Sequence, residues 1–472
     1  MSQLSGIHAF CGIDAGAQRS NRFGRLFELP PLYTKPEGLS ALGSKSGPMD
    51  GGTTSSRTNT VDVGQVFFGQ FIDHDITLDT TSSLASVADP AQVANVRTPT
   101  LDLDCIYGLG PEASGFMYRD VGGNDPFNGV KLLTGADGTA VSQPAALAKQ
   151  DLSRSAHGRA VIGDHRNDEN RIISQLQLAM IRFHNKIADV LNTADPHLVR
   201  GELFEEARRQ ATWHYQWVVL HDFLPMMCGK AVVDDILGKG RRFYCAEGGE
   251  PFIPVEFSVA AYRFGHSMIP QKIQVQKGKP SLKLFGPELG GGFKPLANAK
   301  AVVDWNELVT TSSGANVQKA EKLDSKMART LLALPFIPVS DINSLASRNL
   351  LRGQAFRLPS GESVAEFMGR PTSEIDTVRL AAENIAGSAA DLSSGTPLWF
   401  YLLVEAEKVG RQDGPNDFEP GEGLGPVGAR IVAETIIGLM ELDERSFMAS
   451  NRNWSPAEAS LGVGTLGAML TL

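Results

Sequence analysis

Cysteine is scarce in this sequence, with four in 472 residues. Cys11, Cys105, Cys228 and Cys245 lie far apart and form no CxxC pair, which excludes a disulfide framework and a thiolate metal site. They read as isolated, mostly unreactive thiols. There is no HExxH motif, so nothing points to zinc. Basic runs are missing and the formal net charge is −9, which speaks against a nucleic-acid-binding surface. No stretch of about 18 consecutive apolar residues occurs, so no membrane-spanning helix is expected. The opening residues, MSQLSGIHAFCGIDAGAQ, lack the basic start and continuous apolar stretch of a secretory signal. A cytoplasmic or non-classically secreted location is the expectation from that feature.

What remains is ordinary globular composition, 42% apolar and 21% charged, so a folded chain is expected. Its length allows about three average domains. No internal repeat, low-complexity tract or linker separates independent cores, so we expect one large, mainly α domain with loop-rich connections and little β. Residues 1–58 are rich in Gly, Pro, Ser and Asn and read as an irregular arm packed on that domain, which takes up 59–472. Helical periodicity begins near Val61. Turn chemistry dominates 79–135, with RTPTLDLD at 97–104 as its most organised piece. IISQLQLAMIRFHNKIADVLN has apolar residues at helical intervals, and 201–223 is a second helix of that kind. VEFSVAAYRFGHSMI reads as an amphipathic helix, and 271–295 as a Gly/Pro-rich stretch with a short hairpin. KAEKLDSKMARTLLAL, NSLASRNLLRGQ, TPLWFYLLVEAEKVG and VGARIVAETIIGLMELD read as helical.

Four clusters carry chemical groups. In Gln70…Asp73-His74-Asp75 a base stands between two acids, with an amide one helical turn earlier. Arg166-Asn167-Asp168-Glu169 precedes the first long helix. Arg263-Phe264-Gly265-His266 and Asn349-Leu350-Leu351-Arg352-Gly353 follow. Each alone has a plain structural explanation: a buried polar knot, an i,i+3 surface pair, a core histidine, a helix cap.

Together, in this order and over most of the chain, they resemble the animal-type haem peroxidases of the peroxidase–cyclooxygenase superfamily, and within it the bacterial, peroxidasin-like branch. The resemblance implies a haem peroxidase that reduces H2O2 through a ferryl haem and oxidises halide, thiocyanate or phenolic donors. It implies haem b with His266 as proximal iron ligand and Asn349 as acceptor of the imidazole N–H. Gly265 would allow the haem or a neighbouring backbone to approach closely. On the distal face, His74 would move the peroxide proton, Arg166 would stabilise the developing negative charge, and Gln70 would hold the distal water. Asp73 and Glu169 match carboxylates that form haem esters in mammalian relatives. Asn170 stands where some relatives have a methionine that forms a sulfonium link, so that bond is absent and chloride is not an expected donor. Arg263 and Arg352 match partners of the haem propionates. Asp75 matches a calcium ligand, and the alternating Thr98, Thr100, Asp102 and Asp104 supply oxygens suited to a hard cation.

Two other readings are open. A fatty-acid dioxygenase on the same fold would carry a radical tyrosine three residues before the proximal histidine. Arg263 stands there, and Tyr262 is one residue further back. A non-enzymatic haem-binding module would lack distal groups, yet Gln70, His74 and Arg166 are present. His165 neighbours Arg166 but falls outside the pattern; His184, His214 and His221 read as core or surface residues.

Overall fold

The computed structural model describes residues 23–80, 82–84, 86–138, 140–312, 317–338 and 340–472. The first part of the expected arm, residues 1–22 with Cys11, lies outside the described residues. From Phe23 onward that segment is pinned to the core. Strand β1, Phe23–Gly24, runs parallel to β3, Ile253–Pro254. Leu26 N–H donates to Glu256, Arg25 to the Phe356 carbonyl, and Phe27 is buried. Helix α1, Pro36–Leu42, starts on its proline, which fits a first-turn position where no N–H is needed. It buries Leu39 and Leu42 against the later helix α5, Leu345–Ala355.

The centre of the molecule is α2, Val63–Ile76. Twelve of its residues are buried, leaving only Gln70 and Asp73 partly accessible. A helix apolar on every side belongs inside a core, and α2 is packed by α3, Arg171–Ala194, and by the segment Ala261–His266. Asn170 caps α3 by accepting the N–H groups of Ile172 and Ile173. Helix α4, Arg200–Val218, packs along α3. Helix α6 (Thr372–Ala386) packs on α7 (Leu398–Lys408), α7 and α8 (Pro426–Leu442) pack on Ala261–His266, and α5 packs on α7 and on the preceding turn Glu256–Ala260. The architecture is mainly α, as expected, and the sheets named among the described residues are two-stranded.

Three local expectations need correction. A strand the sequence did not announce, β2 (Arg57–Asp62), precedes α2 and pairs antiparallel with β6, Lys319–Glu321. That pairing makes the start of KAEKLDSKMARTLLAL extended rather than helical; a 3-10 turn at Arg329–Leu332 is the helical part. Second, VEFSVAAYRFGHSMI is no continuous α-helix. A π-type turn, Glu256–Ala260, meets a 3-10 turn, Ala261–His266, across a break at Ala260 (φ −126°, ψ −76°). Its neighbours bury most of it on all sides, and Arg263 Nε takes the Ser258 carbonyl across the break. Third, Gly265 does not admit a neighbouring backbone: a Cβ there would meet a Val66 methyl on α2 at 3.5 Å, an ordinary contact. The expected hairpin does form, from β4 (Lys272–Ile273) and β5 (Leu282–Lys283).

Candidate active site

Helix α2 presents His74 to the short turn His165–Asp168. His74 Nδ1 lies 2.7 Å from Asn167 Oδ1, and Gln70, one turn earlier, donates to the Glu169 carboxylate. Arg166 closes the end of α2: its Nη2 donates to the carbonyls of His74 (3.0 Å) and Thr77 (2.6 Å), groups a helix terminus leaves without partners. Its Nε and Nη2 also grip Asp164, at 2.7 Å for the closest contact. Burial alone would raise Asp164, yet the Arg166 and Arg97 guanidinium groups hold it well below the usual carboxylate range. Among the described residues Arg166 Nη1 has no hydrogen-bond partner. Asp73 is bonded by the Thr77 hydroxyl at 2.9 Å.

His266 stands at the end of the broken segment, opposite α5. Its Nδ1 lies 2.9 Å from Asn349 Nδ2, while Arg263 Nη1 donates to Asn349 Oδ1 at 2.9 Å. The amide therefore faces the imidazole with its N–H, the reverse of the expected acceptor, because Arg263 already holds its oxygen. Arg352 is also engaged by protein: it pairs with Asp79 at 3.1 Å and with Ser82. That pair ties α5 to the chain just beyond α2. The charges of Asp73 and Asp79 are felt at Arg263, so the two histidine-bearing assemblies are neighbours.

The two imidazoles share one arrangement with opposite polarity: an asparagine oxygen faces Nδ1 of His74, and an asparagine N–H faces Nδ1 of His266. Each is held at Nδ1 by an asparagine buried completely, and neither Nε2 has a hydrogen-bond partner among the described residues. Burial, reinforced by Arg166, lowers His74 to about 4; burial, reinforced by Arg263, lowers His266 to about 3. Both are neutral at physiological pH. Burial also lowers Arg263 to about 10, with Arg352 adding to it, and raises Glu169 against the opposing bond from Gln70. Glu169, Arg263 and His266 keep accessible surface although protein surrounds them densely. Such groups line a crevice rather than an outer face. A neutral imidazole with a free Nε2 beside two guanidinium groups fits an iron porphyrin with anionic side chains.

The RTPTLDLD loop folds onto α2 beside His74. Oxygens of Asp75, Asp102 and Asp104 lie within 4.8 Å of one another. Asp75 is fully buried; its Oδ2 takes the Leu103 N–H at 3.3 Å, its Oδ1 has no hydrogen-bond partner of good geometry among the described residues, and the Cys105 thiol and Tyr215 hydroxyl lie beside the carboxylate. Thr98 Oγ1 lies 3.0 Å from Asp102 and 3.5 Å from Asp104, and Thr100 bonds Asp102. Leu103, between the two loop aspartates, adopts φ +60°, a left-handed conformation that costs about 1 kcal/mol or more in a non-glycine residue. Burial, then the neighbouring carboxylates, push Asp75 and Asp104 well up. An orphaned buried carboxylate oxygen facing two further acids fits a bound divalent cation. Arg97 joins the two regions, pairing with Asp104 at 3.2 Å and Asp164 at 2.7 Å.

The structure thus brings Gln70, Asp73, His74, Arg166 and Glu169 together, then His266, Asn349, Arg263 and Arg352, and separately Asp75 with the loop oxygens. Asn167 and Asp164 were missed from the sequence, as was Gln177, whose side-chain oxygen accepts from Asn167 Nδ2 at 2.8 Å. Asn167 stood inside a matched cluster, but nothing in its spacing marked it. Among the other histidines, His165 is exposed. His184 is buried against Tyr107 and the Val130 carbonyl, His214 is bonded to the Gln210 carbonyl, and His221 stacks on Trp217.

Solved structures agree on the fold. Peroxidase A from Dictyostelium discoideum superposes with a TM-score of 0.60 at 17% identity, covering 95% of each chain. A fatty acid alpha-dioxygenase from Arabidopsis thaliana gives 0.60 at 15%, covering 90% of this chain and 72% of its own. The chain belongs to the animal haem peroxidase family, whose sequence model matches residues 79–385. That match includes Arg166, His266 and Asn349 and begins just after the His74 helix. Thyroid peroxidase of Homo sapiens is 25% identical over 386 residues, 76% of this chain and 39% of that protein. Eosinophil peroxidase of Mus musculus is 34% identical over 107 residues, 23% of this chain and 14% of its own length. The chain spans well under half the length of these curated relatives.

Proposed function

We propose that the chain is a haem peroxidase that reduces H2O2 and oxidises small donors such as bromide, iodide, thiocyanate or phenols. One observation carries the reading: two neutral imidazoles, each with a fully buried asparagine at Nδ1 and no partner at Nε2 among the described residues, on elements packed against each other. His266 would hold the haem iron through Nε2, with Arg263 and Arg352 serving the propionates. The bound haem supplies the redox chemistry. Ligation through Nε2 requires the proton on Nδ1, so the Asn349 amide must then offer its oxygen. Releasing Arg263 to a propionate frees that oxygen.

On the distal side, His74 takes the peroxide proton at Nε2 and returns it to the departing oxygen, which requires the neutral form that burial favours. Arg166, fixed by Asp164 and the end of α2, directs the unpartnered Nη1 toward developing negative charge. Gln70 positions the distal water. Asp73 and Glu169 are the carboxylates available for ester links to haem. Asn170 carries no sulfur and is taken up as the α3 cap, so a sulfonium link cannot form there, and chloride is left out of the proposed donors. Asp75, Asp102 and Asp104, with Thr98 and Thr100, would hold Ca2+ and lock the loop to α2. Arg263, rather than a tyrosine, stands three residues before His266, which favours the peroxidase over the fatty-acid dioxygenase. Guaiacol or bromide oxidation by the haem-loaded chain tests the reading. His74→Ala should lower the rate about 10²- to 10⁴-fold; full activity in that variant would overturn the assignment.

A further inference from the structure

His74 can accept a proton at Nε2 only as the tautomer that carries hydrogen on Nδ1, and a free imidazole in water prefers the other one. Three bonds decide the matter. Gln177 Nε2 donates to the Cys105 carbonyl at 3.2 Å, and a carbonyl can only accept. Gln177 Oε1 therefore faces Asn167, whose Nδ2 donates to it at 2.8 Å. That leaves Asn167 Oδ1 toward His74 Nδ1 at 2.7 Å, where it can only accept a hydrogen. His74, Asn167 and Gln177 are all buried, so solvent does not compete for these groups.

We infer that Asn167 and Gln177 are positioning residues that fix His74 as the Nδ1–H tautomer, with the Cys105 carbonyl setting the direction of the relay. The anchoring carbonyl follows Asp104 directly, so the relay and the carboxylate cluster hang on one turn of chain. Gln177 lies on α3 and Asn167 ahead of its cap, so α3 holds the relay rigidly across from α2. Its kinetic consequence rests on His74 acting as the base in peroxide reduction; the tautomer itself does not.

The full chain labelled with 15N-histidine tests this by two-bond 1H–15N spectra, with the His74 signal assigned by its loss in His74→Gln. Wild type should show Nδ1 protonated and Nε2 bare. Gln177→Met removes the acceptor that orients Asn167 and should convert part or all of His74 to the Nε2–H form. Asn167→Leu should do so fully, whereas Asn167→Asp, which can only accept, should keep Nδ1–H. In the haem-loaded chain, Gln177→Met should slow the reaction with H2O2 about 10- to 100-fold with haem binding retained. An Nε2–H wild type, or an unchanged tautomer in Gln177→Met, would overturn the relay, and neither result depends on Asn167→Leu folding. A wild type that shows the tautomer and its loss but never reacts with peroxide supports the relay and overturns the peroxidase reading instead.

Discussion

Removing calcium from the Asp75, Asp102 and Asp104 cluster should weaken the fold at neutral pH and reverse the sign of its pH dependence. The carboxylate oxygens lie within 4.8 Å of one another. Two unit charges at that distance repel by roughly 3–4 kcal/mol at an effective dielectric constant near 20. The emptied cluster avoids full ionisation by keeping protons, since burial and the neighbouring acids raise Asp75 and Asp104. A carboxyl that stays protonated in the fold at pH 7, but ionises near pH 3.9 when unfolded, lowers stability by up to roughly 4 kcal/mol. The folded chelated chain binds more protons than the unfolded chain, so this loss grows as pH rises and fades toward pH 4. With calcium bound the same carboxylates are held ionised, and their contribution is present at neutral pH and lost in acid. Free calcium a hundredfold above its dissociation constant should contribute about 2.7 kcal/mol. Denaturant unfolding with calcium or EDTA, near pH 5 and pH 7.5, measures both slopes, and Asp75→Asn isolates the cluster. Unfolding curves that coincide with and without calcium at the higher pH would refute the reasoning, as would metal analysis finding no calcium in the folded protein.

Glu256 is fully buried; its Oε1 makes no hydrogen bond among the described residues and has only Arg25 at 3.9 Å, and burial raises it to about 7. Its folded form binds a proton that the unfolded form releases near 4.5, so stability falls between those values as pH rises. Glu256→Gln, which keeps an acceptor for Leu26 N–H, should be more stable than wild type by roughly 3 kcal/mol at pH 8 and equal near pH 4.5. Denaturant titrations at both pH values check this. Tyr262→Phe should retain donor oxidation, because the ring packs against Phe257 and Phe223 and the hydroxyl makes no hydrogen bond among the described residues; loss of oxidation would favour a radical tyrosine. After peroxide treatment, acid–acetone should leave haem on wild type and extract it from the Asp73→Asn, Glu169→Gln double variant. Free extraction from wild type would exclude an ester.

The chemistry of α2 was legible because Gln70, Asp73, His74 and Asp75 lie within a turn and a half of one helix, where spacing translates directly into direction. The RTPTLDLD oxygens were legible for a similar reason, as a local alternation. Contacts that join distant positions were not. Strand β2 pairs with β6 more than 250 residues away, and no short window of KAEKLDSK records that partner. The relay from His74 through Asn167 and Gln177 to Cys105 uses three separate segments, each ordinary by itself. The orientation of Asn349 depends on Arg263, 86 residues earlier. The break at Ala260 escaped notice because amphipathic spacing looks the same whether a turn is α, π or 3-10 over one or two turns.

The central claim is that His266 and His74 are the two faces of one haem site that reacts with hydrogen peroxide. Mixing the purified haem-loaded chain with one equivalent of H2O2 and following the Soret band by stopped flow tests it most directly. The account predicts a rapid spectral change in wild type, a rate lowered at least a hundredfold in His74→Ala, and loss of the haem signature in His266→Ala. A wild-type Soret band that peroxide leaves unchanged, or a His266→Ala chain that binds haem and reacts as wild type does, would contradict it.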